Sequence, residues 1–555
     1  MIESILIHRI GQTGFFRWVW IVVAMFTLAS CGDGDNPAPP AAAPVTACLN
    51  ASDSDPGAQA ANASNSRIII TNEESALDAL ITCANAEITV DNSTLAPASA
   101  SGAPIGIMAK VSTGFSLTLV AEALPPKIVG AAAKVPTPAG PDDLTAGGTF
   151  TGPVQDPPYV RYIVEIDGVG TPDTFRWSED DGFSWAASGV NITDGVAQAL
   201  SNGVTVTFAA LAGHTSGSQW RIDAGTLQAT SVAIKGNSAI VSYGMIGEPF
   251  LGAIQVYNLK NGTVHLKSQA LFRDMDINAV TVSASNAYLV GAHEPTPANA
   301  SVIETLTVAG TKLQLGGNIT ELHSFAATSV FHDTTNAKVL ITDGNDGGLA
   351  VLDESSLAED PVSPILLPDA RWVSMENLLA VVMQGCCAPL PPAVSAKISL
   401  YDMTGGTPAF LRSFPITGAD IPASKSTVEL VGAKAFIAAG SGGAQVWDTG
   451  IGGTMLASIP VPGGTGLPAD RIVANAVTVD ADLMFISNGE AGVYVAQATS
   501  GNFDASPSTG PVTLSNLGKL QFGSLESVNH VEYKNGYLFV AAGLGGLKVV
   551  NVTLP

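Results

Sequence analysis

Residues 528–555, VNHVEYKNGYLFVAAGLGGLKVVNVTLP, contain the pattern that decides the fold. An apolar stretch, a short polar turn, a second apolar stretch, a Gly-rich turn and a third apolar stretch follow one another. Short apolar stretches separated by Asn/Gly and Gly/Gly breaks are typical of β-strands joined by tight turns. The segment therefore predicts three strands connected by two turns.

The same pattern occurs seven times in the chain, with a period of 43 to 55 residues. One small sheet cannot bury its apolar faces alone, so a strand-and-turn repeat of this length indicates a radial array. We predict an all-β chain in which residues 226–555 form a seven-bladed β-propeller, with each anchor valine on the innermost strand of its blade or the next. The anchors are Val232, Val280, Val330, Val373, Val428, Val477 and Val531.

Length and charge limit the remaining choices. A chain of 555 residues is too long for one core, so two or three domains are expected. It carries 24 basic and 48 acidic residues, for a net charge of −24, and no basic stripe offsets this excess. Such a protein repels a phosphate backbone, so we predict no nucleic-acid partner. Solubility explains the acidity, and weak calcium sites are the alternative; no other cofactor is predicted.

Residues 1–30 have the composition of an export signal. Arg9 and Arg17 accompany an apolar run at 18–30, WVWIVVAMFTLAS, which is too short to span a bilayer comfortably. The run ends in Leu28-Ala29-Ser30-Cys31, which resembles the bacterial lipoprotein box, with Cys31 as the lipid acceptor. An ordinary secretory signal with an incidental cysteine is the alternative.

The lipoprotein resemblance implies a membrane anchor and a location. The mature protein would begin at Cys31, followed by a disordered Pro/Ala-rich tether over residues 31–66. Residue 32 is Gly, not the Asp that retains some lipoproteins at the inner membrane. The expectation is therefore a bacterial outer-membrane lipoprotein, facing the periplasm or the cell surface.

Four further cysteines, Cys48, Cys83, Cys386 and Cys387, agree with an exported protein. The simplest pairing is Cys48 with Cys83 and a vicinal bridge between Cys386 and Cys387; two free thiols at 386 and 387 are the alternative. No CxxC, CxxCH or Cys/His cluster at ligand spacing occurs, which argues against haem and structural zinc.

Two segments precede the repeats. Residues 67–140 have an uncertain fold, and because the last repeat stops at its third strand, this segment is a candidate to complete that blade. Residues 141–225 alternate apolar and polar residues with frequent turns, which predicts a small β-sandwich module. Within it, residues 178–185, SEDDGFSW, resemble an Asp-box, which we interpret as a structural hairpin turn.

The propeller repeats resemble the LVIVD-repeat family of bacterial β-propellers. The closest matches are residues 535–541 with 546–552 and residues 432–448, and the resemblance covers residues 226–555. Each motif alone is weak, but seven in series are specific. The resemblance implies a surface or periplasmic propeller and implies no defined reaction.

The turn between the second and third strands is long in three repeats, at residues 243–252, 291–301 and 384–396. Equivalent insertions in a radial repeat lie on one face, and loops on a rigid scaffold often carry binding residues. Tolerated loop drift is the alternative. The candidate binding residues are Met245, Phe250, His293, Glu294, Cys386, Cys387 and Leu390.

Two functions remain open from the sequence. We favour a non-catalytic binding or scaffold protein for an extracellular protein or glycan, and the alternative is a hydrolase or lyase acting on an extracellular lactone or polysaccharide. No GxSxG, HExxH, P-loop or GxGxxG motif is present. Residues expected near the channel in an enzyme are Asp274, Asp276, Asn278, His332, Arg371, Asn475, Asn529 and His530.

Overall fold

The computed structural model describes residues that all belong to one compact unit, which spans Val45–Pro555. The described residues are 67–72, 115–136, 138, 140–245, 249–260, 263–293, 300–386, 394–417, 424–463, 465–498, 503 and 512–554. The predicted signal peptide and tether, and with them Cys31, Cys48 and Cys83, lie outside these residues.

Seven antiparallel sheets, called blades 1 to 7 here, follow one another from residue 228 to residue 553. Each blade is a meander in which consecutive strands pair, as expected when two tight turns separate three apolar stretches. The strands of blades 1 to 3 are Gln228–Lys235, Ser238–Gly244, Gly252–Lys260 and Thr263–Phe272; Met275–Val282, Asn286–His293, Ser301–Ala309 and Lys312–Glu321; and Ser329–Asp333, Lys338–Asp343 and Gly348–Asp353. The strands of blades 4 to 7 are Ala370–Glu376, Leu379–Cys386, Val394–Asp402 and Ala409–Pro415; Val428–Val431, Lys434–Ala438, Ala444–Asp448 and Thr454–Ile459; Ala476–Asp480, Leu483–Ser487, Val493–Ala498 and Leu514–Leu520; and His530–Lys534, Tyr537–Ala541 and Leu547–Thr553.

The blades close into a ring. The first strand of each blade contacts the first strand of the next, and the first strand of blade 7 contacts that of blade 1. All seven anchor valines lie on first strands and are buried against neighbouring blades. The prediction of a seven-bladed β-propeller preceded by a small sandwich is confirmed.

Strands from the N-terminal side extend two blades. Ser116–Ala123 pairs antiparallel with Leu547–Thr553 and supplies the fourth strand of blade 7. Inside this pair, Lys548 forms a buried ion pair with Glu122, at 2.6 Å between Nζ and Oε2. A short strand, Ile68–Thr71, pairs with Thr263–Phe272 and becomes a fifth strand of blade 1.

Blade 3 has three regular strands among its described residues. The place of a fourth is taken by an irregular segment whose Glu359 and Ile365 form single bridges to Leu352 and Leu349. A helical turn, Gly344–Gly347, joins the second and third strands of this blade, and a 3-10 turn, Ala469–Arg471, precedes blade 6.

The sandwich consists of two antiparallel sheets. The larger contains, in spatial order, Lys127–Val129, Gln219–Thr226, Tyr159–Gly168, Thr174–Ser178 and Ala187–Asn191, with Ala133–Lys134 pairing to Gln219–Thr226. The smaller contains Leu144–Gly148, Val204–Phe208 and Gln198–Ala199. Phe208 and Trp220 meet edge to face between the sheets, at 5.8 Å between ring centroids. Two of these strands come from the segment 67–140, so the sandwich begins near residue 127, earlier than the predicted 141.

The sandwich is held against the propeller by Arg273, which follows the last strand of blade 1. Its guanidinium is buried and donates to three backbone carbonyls of the sandwich, those of Val129, Gly130 and Ala146, at 3.0, 3.1 and 2.8 Å. Leu251 from blade 1 packs against Gly130 at the same junction. A buried cation with this many acceptors fixes the position of the sandwich on the ring.

Leu117 lies on the strand that closes blade 7 and is fully buried in the core shared by blades 6 and 7. We expect Leu117→Ala to lower the free energy of unfolding of the propeller by about 3 kcal/mol, because it leaves a cavity in the strand pair that closes the ring. Chemical denaturation measures the change. Thr118→Ala, one residue along on the partly exposed side, is the control and should cost less than about 0.5 kcal/mol; equal losses in the two variants would contradict the role of this strand.

Candidate functional site

The two faces of the ring differ in the connections that they carry. Loops between second and third strands and connections between successive blades emerge on one face, called the mouth face here; turns between first and second strands and between third and fourth strands emerge on the opposite face. The long loops of blades 1, 2 and 4 join second to third strands, so all three belong to the mouth face. The sandwich stands between the fourth strand of blade 7 and the first strand of blade 1, so it belongs to the mouth face too.

Polar side chains at the start of the first strands, or shortly before them, tie neighbouring blades together. Among the described residues, six of the seven seams between neighbouring blades carry such a bond, in which a side chain donates to a backbone carbonyl of the following blade. Asparagine, threonine and serine suit this position because each has a short side chain with a donor. The donor and acceptor pairs are Thr230 to Ile277, Asn278 to Ala327, Thr328 to Ala370, Ser424 to Ala474, Asn475 to Val528 and Asn529 to Ala229, at 2.5 to 2.9 Å.

Lys425 crosses the entrance of the central channel. It belongs to the connection that enters blade 5, yet its Nζ donates to the carbonyl oxygens of Thr230 in blade 1 and Asn278 in blade 2, at 2.6 and 2.7 Å. Blades 1 and 2 lie across the ring from blade 5, so the side chain spans the opening. The ammonium therefore links three blades across the centre of the ring.

Two aromatic side chains flank the lysine. Its Nζ lies 5.5 Å from the ring centroid of Trp372 on blade 4, within the range of a cation–π contact. The Trp372 ring in turn lies 5.2 Å from the imidazole of His530 on blade 7. Burial and the positive charge of Lys425 lower the pKa of His530 to about 3, so this imidazole is neutral at physiological pH.

Asp276 on blade 2 completes this group, which we call the mouth cluster: Asp276, Trp372, Lys425 and His530. One Asp276 oxygen accepts from the amide of Met245 at 2.9 Å. Burial raises the pKa of Asp276 to about 7, against the opposing effects of backbone N–H donors and of Lys425. Burial likewise lowers the pKa of Lys425 to about 7, opposed by the charge of Asp276.

A carboxyl and an amine that both titrate near neutrality can exchange protons with a bound molecule. Two of the three Lys425 donors are engaged by backbone carbonyls, however, and the amides of Asn278, Asn475 and Asn529 are engaged between blades. The mouth is thus lined mainly by groups whose hydrogen bonds hold the ring together.

The structure brings together only part of the set that the sequence indicated for an enzyme. Asp274 accepts from Arg67 on the outer part of blade 1, Arg371 pairs with Asp369, and His332 stacks on Tyr288 in the seam between blades 2 and 3. Asp276 and His530 do reach the mouth cluster. Sequence reasoning missed Lys425 and the role of Trp372, because neither stands in a local motif.

The candidate binding residues of the long loops have different outcomes. Met245 is 2% exposed and packs in the core shared by blades 1 and 7, so its side chain does not present itself to a partner. His293 ends the second strand of blade 2 and is partly buried, and Cys386 ends the second strand of blade 4. Glu294, Cys387 and Leu390 lie outside the described residues.

Phe250 lies on the mouth face, as its loop position predicts, and it has an aromatic neighbour that the sequence did not indicate. Its ring centroid is 6.3 Å from that of Phe325, which belongs to the connection between blades 2 and 3. Phe325 is 68% exposed, so its ring is accessible to a partner. Phe250 and Phe325 together form a small apolar surface on the mouth face, between the long loop of blade 1 and the connection from blade 2 to blade 3.

The Asp-box hairpin of the sandwich has the hydrogen bonds expected of a structural turn. Asp180 accepts from the amide and hydroxyl of Ser184 at 2.8 and 2.5 Å and from the hydroxyl of Ser178 at 2.6 Å. Gly182 has a φ of +86°, which requires glycine in such a turn. Hydrogen bonds from Ser178 and Ser184 lower the pKa of Asp180 to about 2. Trp185 packs under the guanidinium of Arg176, at 3.9 Å.

Within the part of the chain that the structure describes, no three His, Cys, Asp or Glu side chains are grouped so that they could hold a metal ion. The same residues include no helix of the length and hydropathy needed to cross a membrane.

No family model matches the chain, and a comparison with curated proteins found no match. Solved structures give distant matches. A putative 6-phosphogluconolactonase from Bacteroides uniformis is 8% identical over 65% of this chain and 99% of its own, with a TM-score of 0.39. The periplasmic gluconolactonase of Pseudomonas aeruginosa is 11% identical over 66% of this chain and 97% of its own, also at 0.39, and the designed Ika8 protein is 13% identical over 76% and 96%, at 0.35. These values assign neither a family nor an activity, so the resemblance to LVIVD-repeat propellers stays an expectation.

The raised pKa of Asp276 has a measurable consequence. Below pH 3.8, the pKa of an aspartate in the unfolded chain, the Asp276 carboxyl is protonated in both the folded and the unfolded protein. Between pH 3.8 and pH 7 the unfolded chain releases this proton, while the folded protein must keep it or bury a charge. The free energy of unfolding therefore falls as the pH rises. In Asp276→Asn, the free energy of unfolding should fall by roughly 3–4 kcal/mol less between pH 4 and pH 7 than in the wild type. Urea denaturation at pH 4 and pH 7 checks the difference between variant and wild type.

The comparison reports on Asp276 together with its partner Lys425, because loss of the Asp276 charge also lowers the pKa of Lys425 further. Burial also raises the pKa of Glu429 and Glu532, but these residues contribute to both proteins and cancel in the comparison. Parallel stability curves for the two proteins between pH 4 and pH 7 would show that Asp276 ionises normally.

Proposed function

We propose that this protein is a non-catalytic binding or scaffold protein of the bacterial cell envelope that recognises an extracellular protein or glycan on the mouth face of its propeller. The observation that carries the proposal is the hydrogen bonding at the mouth, where side-chain donors join the blades and Lys425 bonds across the ring to blades 1 and 2. Polar groups bound in this way hold a rigid platform and are poorly available for chemistry on a substrate.

The mouth face also supports the proposal by its loops. Three long loops and the sandwich share this face, and the exposed Phe325 with Phe250 gives it an apolar contact point. Aromatic side chains on rigid scaffolds are frequent anchors in protein recognition, and their faces also stack on sugar rings. The occupant is therefore expected to cover Phe325.

A screen of the purified, unlipidated protein against glycans and envelope proteins identifies the partner. We expect Phe325→Ser to weaken the binding of the identified partner by about tenfold or more, because it removes a central apolar contact. The matched control is Ile451→Ser on the opposite face, where Ile451 is 99% exposed in the turn between the third and fourth strands of blade 5. Equal loss in both variants, or none in Phe325→Ser, argues against the mouth face.

Envelope attachment through Cys31 is the second part of the proposal. We expect Cys31→Ser to move the protein from the membrane fraction to the soluble fraction, because the acyl chains supply nearly all of its anchoring. Fractionation followed by a carbonate wash measures this. A Cys31→Ser protein that stays with the membrane after the wash would show that another element anchors it.

The mouth cluster supports one alternative function, a hydrolase for an extracellular lactone or polysaccharide. The specific observation in its favour is that Asp276 and Lys425, from different blades, both have pKa values near 7. Turnover of lactones or polysaccharides by the purified wild type that disappears in Lys425→Met, with binding on the mouth face retained, would establish the alternative and displace the binding proposal.

A further inference from the structure

A cavity of about 280 Å³ lies in the seam between blades 7 and 1, beside the turns of the opposite face. It is remote from the mouth cluster and takes no part in the function proposed above. Apolar side chains from both blades form most of its wall: Ile234, Leu259, Val264, Tyr537, Phe539 and Val549. The volume approaches that of small-ligand pockets and suits a single aromatic ring with a short substituent.

Two other seams show how aromatic side chains can fill this place. In the seam between blades 2 and 3, Tyr288 stacks on His332 at 5.5 Å, and in the seam between blades 6 and 7, Phe485 stacks on Tyr533 at 4.6 Å. Both pairs occupy the same positions of the repeat, eight residues after the anchor valine of one blade and two residues after that of the next. Two aromatic rings thus fill each of these two seams at this level.

In the seam between blades 7 and 1, the same two positions hold Phe539 and Ile234. An isoleucine stands where the two aromatic seams have a second ring, and the cavity lies against it. The seam between blades 5 and 6 has a similar pair, Phe436 and Val479, and there Phe503 enters from outside the pair and meets Phe436 edge to face at 4.8 Å. A phenyl ring supplied separately therefore fits a seam of this composition.

The polar part of the wall indicates what the ring should carry. Lys534 is the one charged residue in the described lining, and it is exposed at the rim with Asn237 nearby. Its acidic neighbour, Glu532, lies outside the lining, and burial raises the pKa of Glu532 to about 7, which reduces its negative charge near neutrality. The rim is thus suited to an anionic group at the end of an apolar one.

We propose that the cavity between blades 7 and 1 binds a small aromatic carboxylate, with the ring between Phe539 and Ile234 and the carboxylate at Lys534. The ring takes the place that Tyr533 and His332 fill in the two aromatic seams. The carboxylate remains at the rim, where water and the Lys534 ammonium solvate it.

The test uses the full chain and 3-phenylpropionate, with 3-phenylpropanol as the neutral analogue, followed by ligand-observed NMR and calorimetry. The acid should bind with a Kd on the order of 1 mM, as usual for a ligand of this size. Lys534→Met should weaken the acid about three- to fivefold and leave the alcohol unchanged, since a half-exposed ion pair contributes little more than this. Lys312→Met, at an exposed lysine that begins the fourth strand of blade 2, is the control and should change neither.

Filling the cavity provides the decisive variant. Ile234→Tyr reproduces the residue found at the equivalent position of blade 7, so the fold should accept it, with thermal stability equal to or above wild type and with loss of binding. Val264→Phe fills the same space from the other wall and serves if Ile234→Tyr does not fold. Absence of binding in the wild type at about 10 mM acid, or binding that survives a folded, filled variant, overturns the proposal.

Discussion

Closure of the ring depends on the hydrogen-bonded pair of Ser116–Ala123 with Leu547–Thr553. Blade 7 combines a strand from the N-terminal side with three strands from the C-terminal side, so separation of this pair would open the ring and expose two strand edges. The buried ion pair of Lys548 with Glu122, reinforced by Glu526, is located at this pair. A buried cation that loses one carboxylate is costly, which makes the pairing specific as well as stable.

The same closure determines where the sandwich lies. In every other blade, the fourth-strand position is followed by a connection on the mouth face that leads to the next first strand. In the seventh blade the fourth strand comes from the N-terminal side, so the connection from Ala123 to Gln228 contains the whole sandwich. The sandwich is thus an enlarged connection between blades, and Arg273 holds it against blade 1 through the carbonyls of Val129, Gly130 and Ala146.

Local features of the sequence predicted much of this arrangement. The anchor valines identified every first strand, and the missing strand of the last repeat indicated that the N-terminal segment would supply one. The ring of inter-blade bonds also has a sequence signal, because in five of the six bonds the donor is a Thr or Asn two positions before the anchor; in the fifth repeat the donor is Ser424, four positions before it. The mouth cluster could not be found in this way. Lys425 donates hydrogen bonds to blades 1 and 2 across the ring. Its two partners, Thr230 and Asn278, are 195 and 147 positions away in the chain, and contacts at such separations do not follow the period of the repeat.

The burial of Met245 shows the limit of reasoning from loop length. Its position at the start of a long loop predicted an exposed side chain. Instead, the Met245 amide N–H donates to the Asp276 carboxyl group, and the Met245 side chain packs in the core shared by blades 1 and 7. The first residue of such a loop therefore continues the strand, and exposure begins further along, where Phe250 meets Phe325.

The seams between blades follow a related rule: the repeat determines which positions meet, while the side chains at those positions determine whether the seam is filled. Phe485 with Tyr533 fills one seam, whereas Phe539 with Ile234 leaves space in another, so departures from the repeat are where a propeller of this kind acquires sites.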